Sequence, residues 1–440
     1  MFSRKDLTGL LAPLIVEQIL AVLVGMVAVV MVAAVGEAAV SGVSLVDAIN
    51  ILIIQILSAL ATGGAVISAQ YLGKKQSVNA CKAAGQLMGV TALFSLLLTV
   101  AALAGNRLLL RMIFGNVEPE VMDAAVIYFQ ITALSYPFIA IYNSCAALFR
   151  SMGNAKISMF VSLVMNVVNI VGNTICVYGL HMGVEGVAYP TLISRIVAAV
   201  MMFYLIQNPD NVVRIRRLSE LKPDFKMIKN ILVVGIPNGL ENGMFQFGKI
   251  ALQSLVSSLG TAAIASYAVA SNLVTLLYLP GNAIGLGLIT IVGQCVGAGE
   301  IKQVKYYSRL LVGINYGILL VLCTVMVLFS DQLVSIYNLS PQAAQISAQM
   351  IVVHCFAMIV WPISFTVPYA LRASMDAKFT MMVSVFSMWL FRIGTSYLFV
   401  QVMNLGVMGI WYGMFIDWFF RAVVFALRFR GIEKRAVSVS

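Results

Sequence analysis

The chain has 440 residues, 61% of them hydrophobic and only 10% charged. Soluble domains carry roughly 25% charged residues, so a soluble fold is excluded: too little polar material is present to cover a core this large. The net charge of +11 would suggest nucleic acid in a soluble chain, but the placement of the charges gives another explanation, and no nucleic-acid partner is expected.

Arg4 and Lys5 precede the first apolar run, and no small-residue cleavage site follows it. That run reads as a retained first helix rather than a signal peptide. A helix needs about 20 apolar residues to cross the hydrocarbon. Twelve stretches meet this: 7–33, 47–71, 83–105, 122–149, 157–180, 186–207, 228–257, 263–296, 304–329, 344–371, 379–402 and 407–428. The polar stretch NPDNVVRIRRLSELKPDFKMIK between the sixth and seventh marks a linker. The expected organisation is an N-lobe at 1–207, a cytoplasmic linker at 208–227 and a C-lobe at 228–440. The six cysteines lie singly in apolar runs and the two histidines, His181 and His354, are in different halves. No metal site is expected from them.

Orientation follows from the basic residues in the loops. With a cytoplasmic N-terminus, twenty-two Lys and Arg fall inside, including Arg4, Lys5, Lys74, Lys75, Arg150, Arg216, Arg217, Arg372, Lys434 and Arg435. Only Arg107 and Arg111 fall outside. Both termini are therefore expected in the cytoplasm.

The chain is internally duplicated. PLIVE at 13–17 and PNGLE at 237–241 lie 224 positions apart, and ungapped alignment pairs Gly36 with Gly260, Gly63 with Gly287 and Gln70 with Gln294. RSMGNAK at 150–156 matches RASMDAK at 372–378. Six helices per half is an even number, so both repeats share one orientation. The expected fold class is all-α integral membrane, twelve transmembrane helices in two parallel six-helix repeats.

With TGGAVISAQYLGKK at 62–75, NVVNIVGN at 166–173 and GVEGVAYPTLISR at 183–195, the chain resembles the multidrug and toxic compound extrusion (MATE) family over nearly its whole length. The resemblance implies two lobes around a central cavity that opens alternately to each side. It implies export of amphipathic, often cationic small molecules across the bacterial plasma membrane, driven by inward H+ or Na+, without a cofactor or enzyme chemistry. It also implies that Asn169, Asn173 and Thr191 belong to an N-lobe cation site. The acids usual in that site are replaced here by Ala28 and Asn173, and those of the C-lobe by Phe245 and a position near Trp361.

Glu17 and Glu241 occupy matching depths in the two repeats, and an intramembrane carboxylate is functional by default. They are expected as the titrating, ion-coupling groups, with a role in bonding proline-loosened backbone as the alternative. Glu241, Phe245 and Lys249 recur every fourth residue and share a helix face; with Asn166 they are expected to bind substrate. Asp417 and Arg421 can pair directly, and with Arg392 are expected to form a structural ion pair. A monomer is expected. GMFQFGK at 243–249 fits a phosphate-loop pattern, but Ile250 follows where Ser or Thr must hold magnesium, inside an apolar segment; the chain is not expected to hydrolyse ATP. Two other functions remain open. A lipid-linked precursor flippase would fit the four deep bases Arg195, Lys249, Arg392 and Arg421. A membrane scaffold or receptor would show no substrate flux.

Overall fold

A computed structural model describes residues 1–115, 117–215 and 222–432. Within the expected linker, 216–221 with Arg216 and Arg217 lies outside the described residues, as do Lys434 and Arg435. Every regular element described is helical. The chain divides into two compact units, the first covering Phe2–Gly239 and the second beginning at Leu240.

The first unit contains α1 (Arg4–Ala33), α2 (Glu37–Gly73), α3 (Ser77–Phe114), α4 (Pro119–Ala133), α5 (Tyr136–Ser151), α6 (Ala155–Asn173) with a π-helical turn at Thr174–Gly179, and α7 (Glu185–Ile206). Helix α8 (Phe225–Ser257) begins in the first unit and ends in the second. The second unit continues with α9 (Thr261–Gly297), α10 (Ile301–Leu328), the short α11 (Ser330–Ser335), α12 (Pro341–Ala357), α13 (Val367–Ala373), α14 (Ala377–Ser387), α15 (Thr395–Tyr397) and α16 (Gly406–Arg430). Further π-helical turns occupy Pro362–Thr366, Met388–Gly394 and Leu398–Val402.

Among the described residues, nine helical stretches are long and apolar enough to cross a membrane, and two bent pairs bring the number to eleven. Helix α8, 33 residues long but carrying Glu241 and Lys249, supplies the twelfth. The fourth and tenth expected spans are broken. Helices α4 and α5 meet at 47°, and α12 meets the Pro362–Ala373 segment at 69°. Pro137 follows the first break and Pro362 the second. Proline has no N–H to donate and clashes with the preceding turn, which ends the upstream helix.

Several repeat-matched residues acquire physical reasons. Gly36 and Gly260 stand immediately before α2 and α9 with φ of +131° and +89°, a conformation that glycine adopts without a Cβ penalty. Gly63 lets α2 cross the first half of α8 closely: a Cβ there would lie 2.5 Å from the Ile231 carbonyl oxygen. Thr91 and Ser144 hydrogen-bond at 2.9 Å, and their repeat mates Asn315 and Thr366 do so at 3.1 Å. Bonds of this kind join neighbouring helices where lipid offers no polar alternative, at roughly 0.6 kcal/mol each.

The apolar core of the first unit gathers Val43, Val46, Phe129, Tyr136 and Val187. That of the second is rich in rings, with Trp361, Trp411 and Trp418 buried together.

Candidate functional site

In the first unit, Glu17 on α1 accepts a hydrogen bond from Ser158 Oγ at 3.0 Å and faces Arg150 Nη1 at 3.8 Å. In the second unit, Glu241 on α8 accepts a 2.8 Å hydrogen bond from Arg372 Nη2, and that guanidinium lies 5.1 Å from the Tyr369 ring. Arg150 and Arg372 are themselves repeat mates. Each PxxxE glutamate is therefore clasped by the arginine that opens the matched loop, and both arginines had been assigned only to cytoplasmic loop charge.

On α6, Asn173 Nδ2 donates to Asn169 Oδ1, and Asn169 Nδ2 donates to Thr191 Oγ1 on α7, each at 3.2 Å. The Asn173 Oδ1 atom is buried without a partner. Asn166 lies on the same helix and is half-buried. Ala28 leaves α1 without an acid at the matching depth.

One turn beyond Thr191, Arg195 enters a second network that reading the sequence missed. Arg195 Nη1 donates to Ser135 Oγ at 2.6 Å, at the α4–α5 break. Nearby, Tyr136 OH donates to Asn50 Oδ1 at 2.7 Å, and Asn50 Nδ2 reaches both Thr132 Oγ1 and Asp47 Oδ1 at 3.3 Å. Tyr128 OH also donates to Asp47 Oδ1, at 3.2 Å. Two of these donors, Asn50 on α2 and Tyr128 on α4, meet the Asp47 carboxylate itself, while Tyr136 of α5 reaches it through Asn50 and Arg195 of α7 bonds the adjoining Ser135. No basic nitrogen lies within 4.0 Å of Asp47 among the described residues. Asp47 was overlooked because the second span was expected to begin at residue 47. The helix begins ten residues earlier, which places Asp47 inside it, one turn from Asn50.

In the second unit, Phe245 gathers three cations. Lys249 Nζ lies 5.3 Å from its ring centroid, Arg392 Cζ 5.2 Å and Arg421 Cζ 5.8 Å. Arg421 has three partners: its Nε donates to Asp417 Oδ1 at 2.8 Å and to Ser387 Oγ at 2.7 Å, and its Nη2 donates to the Ser384 carbonyl at 3.0 Å. Ser387 in turn donates to Asp417. Arg392 reaches Asp417 Oδ2 only at 3.9 Å. Of the residues expected to bind substrate, Phe245 and Lys249 therefore meet those expected to form an ion pair at one ring, whereas Glu241 is held apart by Arg372 and Asn166 lies on α6 in the first unit. Beyond Arg421, Phe365 stacks on Trp361 and Trp361 on Tyr278, whose hydroxyl lies 3.0 Å from His354 Nε2. No group of three or more metal-ligating side chains occurs among the described residues.

These two polar interiors sit in a duplicated helical frame, and the same duplication appears in comparison with known families. The MatE family model matches twice, over residues 13–175 and 237–398, each match opening on the proline of a PxxxE motif.

The chain belongs to the MatE family.

MatE proteins are membrane transporters rather than enzymes. This MatE protein is 27% identical to the uncharacterized transporter YisQ of Bacillus subtilis, over 86% of this chain and 84% of the relative. It is also 27% identical to the probable multidrug resistance protein NorM of Thermotoga maritima, over 99% of this chain and 94% of the relative. A crystal structure of MATE in the bent conformation superposes with a TM-score of 0.91, covering 98% of this chain and 97% of that one at 20% identity. The fold is thereby that of a MATE transporter, a multi-pass membrane protein in two helical repeats.

Proposed function

We propose that the protein is a secondary active efflux transporter of the bacterial plasma membrane, a monomer with both termini in the cytoplasm. It exports amphipathic organic compounds, cationic ones among them, by alternating access in exchange for an inward-moving proton or sodium ion. The names of the NorM relatives support multidrug export. They do not favour the flippase reading.

The coupling part of this reading is carried by one observation: Asp47 is a carboxylate inside a membrane-spanning helix with no basic nitrogen in ion-pair contact among the described residues. Such a group is costly to bury and marks an ion pathway by default. Tyr128 and Asn50 donate to its ionised form, and Arg195 and Tyr136 belong to the same polar cluster. Binding a proton would cancel the charge that these donors and Arg195 stabilise, so the packing of α4 and α7 around α2 responds to occupancy. Glu17 and Glu241 would each have to release an arginine before taking a proton, whereas Asp47 would not. The Asn169–Asn173–Thr191 chain continues the polar path along α6 and α7, and the orphan Asn173 oxygen is of the type that hard cations take.

The test is ethidium export from proteoliposomes with proton and sodium gradients imposed separately. Acceleration by one gradient names the ion, and Asp47→Asn should abolish that acceleration while leaving ethidium binding intact. Acceleration that survives in Asp47→Asn removes Asp47 from coupling and returns attention to Glu17 and Glu241. Acceleration of the unaltered protein by neither gradient refutes antiport.

A further inference from the structure

We propose that Lys249 and Arg392, set against the Phe245 ring, form a binding subsite for the anionic oxygen group of an aromatic amphiphile. The subsite would take a carboxylate or a chemically equivalent sulfonate, so that zwitterionic compounds are preferred over otherwise identical cations. The inference rests on the transporter reading and names a cargo class for it.

The charge around Phe245 does not balance. Three bases face a single acid, Asp417, and Arg421 already takes the near oxygen of that acid together with Ser387 and Ser384. Arg392 is left over. It is 8% exposed, its side chain makes no hydrogen bond among the described residues, and its Nε is a buried donor without a partner. Guanidinium presents five N–H donors in a fixed fork suited to a two-oxygen anion. Leaving the buried Nε–H unmet inside an apolar bundle is costly.

Lys249 lies on the same ring, is exposed, and has no acid within 4.0 Å among the described residues. The two cations therefore approach one aromatic ring, and between them they have only the 3.9 Å approach of Arg392 to Asp417, an acid already bonded to Arg421. A carboxylate lying between them would relieve their repulsion, supply the missing acceptor to Arg392, and place its own ring system against Phe245. The wide π-helical turn at Met388–Gly394 holds Arg392 in this position; such turns recur at functional sites.

A lipid phosphate presents the same chemistry, so the experiment separates the two sources. The full chain is placed in phosphatidylcholine nanodiscs, and binding of rhodamine 110 and its methyl ester, rhodamine 123, is read by fluorescence anisotropy. The dyes share a cationic xanthene and differ in one free carboxylate. Rhodamine 110 should bind about tenfold more tightly, the size of one charge-assisted hydrogen bond. Lys249→Gln, an exposed position, and Arg392→Gln should each bring the two affinities together.

Equal binding by the unaltered protein, no binding of either dye, or a preference unchanged in Lys249→Gln overturns the proposal. Loss of the preference on replacing part of the lipid with phosphatidylglycerol, without displacement of phosphatidylglycerol by rhodamine 110, assigns the subsite to a lipid headgroup and also overturns it. The efflux reading fails separately: dyes that bind with the stated preference but are never moved across proteoliposomes refute transport and leave the subsite standing.

Discussion

The repeated clasp makes a quantitative prediction about stability. Arg372 and Glu241 are 2.8 Å apart with side chains 9% and 11% exposed, whereas Arg150 and Glu17 are 3.8 Å apart and 15% and 12% exposed. Removing one partner of a buried pair strands the other charge and costs about 3–5 kcal/mol. The second Glu241 oxygen and Arg372 Nε are without partners, so the contact is single-pronged and the lower end of that range applies. Glu241→Gln should therefore cost about 3 kcal/mol and lower Tm by roughly 6–12 °C, taking 2–4 °C per kcal/mol for a unit of this size.

Arg372→Gln alone should cost a similar amount. In the double variant neither charge is stranded, so the loss should fall well short of the sum, leaving a coupling of at least about 1 kcal/mol. Glu17→Gln should cost less than Glu241→Gln because Ser158 remains and the ion pair is longer. A thiol-reactive dye reads unfolding directly, since Cys145 and Cys295 are free and buried. Additive losses in the double variant would refute the clasp as an energetic unit.

Further outcomes follow from the same packing. Asp417→Asn strands Arg421, 2% exposed, and removes the nearest acid from Arg392; the second unit should lose about 3–5 kcal/mol, seen as a large drop in Tm by the same thiol assay. Gly63→Ala should destabilise by more than 1 kcal/mol, because its Cβ would meet Ile231 and Gly235 backbone atoms that cannot turn aside. Gly89→Ala, with nothing within 4 Å of the new Cβ, should stabilise α3 by up to about 1 kcal/mol through helix propensity alone. Equal Tm values for those two glycine variants would contradict the close α2–α8 crossing.

The repeat and the twelve spans were legible because hydrophobic length and proline, glycine and loop-charge spacing are local properties of the chain. What was lost is what depends on where helices begin and turn. Helix α2 starts after a positive-φ glycine rather than where apolar residues become dense, and Asp47 was placed at its edge for that reason. Arg150 and Arg372 count as loop charges in any topology argument, yet their side chains turn back to the glutamates of α1 and α8. Phe245 and Lys249 were placed on one face from their spacing. That Arg392 and Arg421, more than 140 positions away, share the same ring follows only from tertiary packing. The breaks at Pro137 and Pro362 have visible prolines, but their angles depend on neighbours.

A π-helical turn accommodates one more residue than an α turn over the same rise. Three such turns lie between residues 362 and 402, and one of them carries Arg392. Losing a single residue from Met388–Gly394 would let that turn relax to an α-helix and swing Arg392 by roughly 100° about the axis. The charge offered at Phe245 is thus open to revision by insertion or deletion of one codon as well as by exchange of side chains. Two close relatives could differ in what they export while keeping every one of these charged residues.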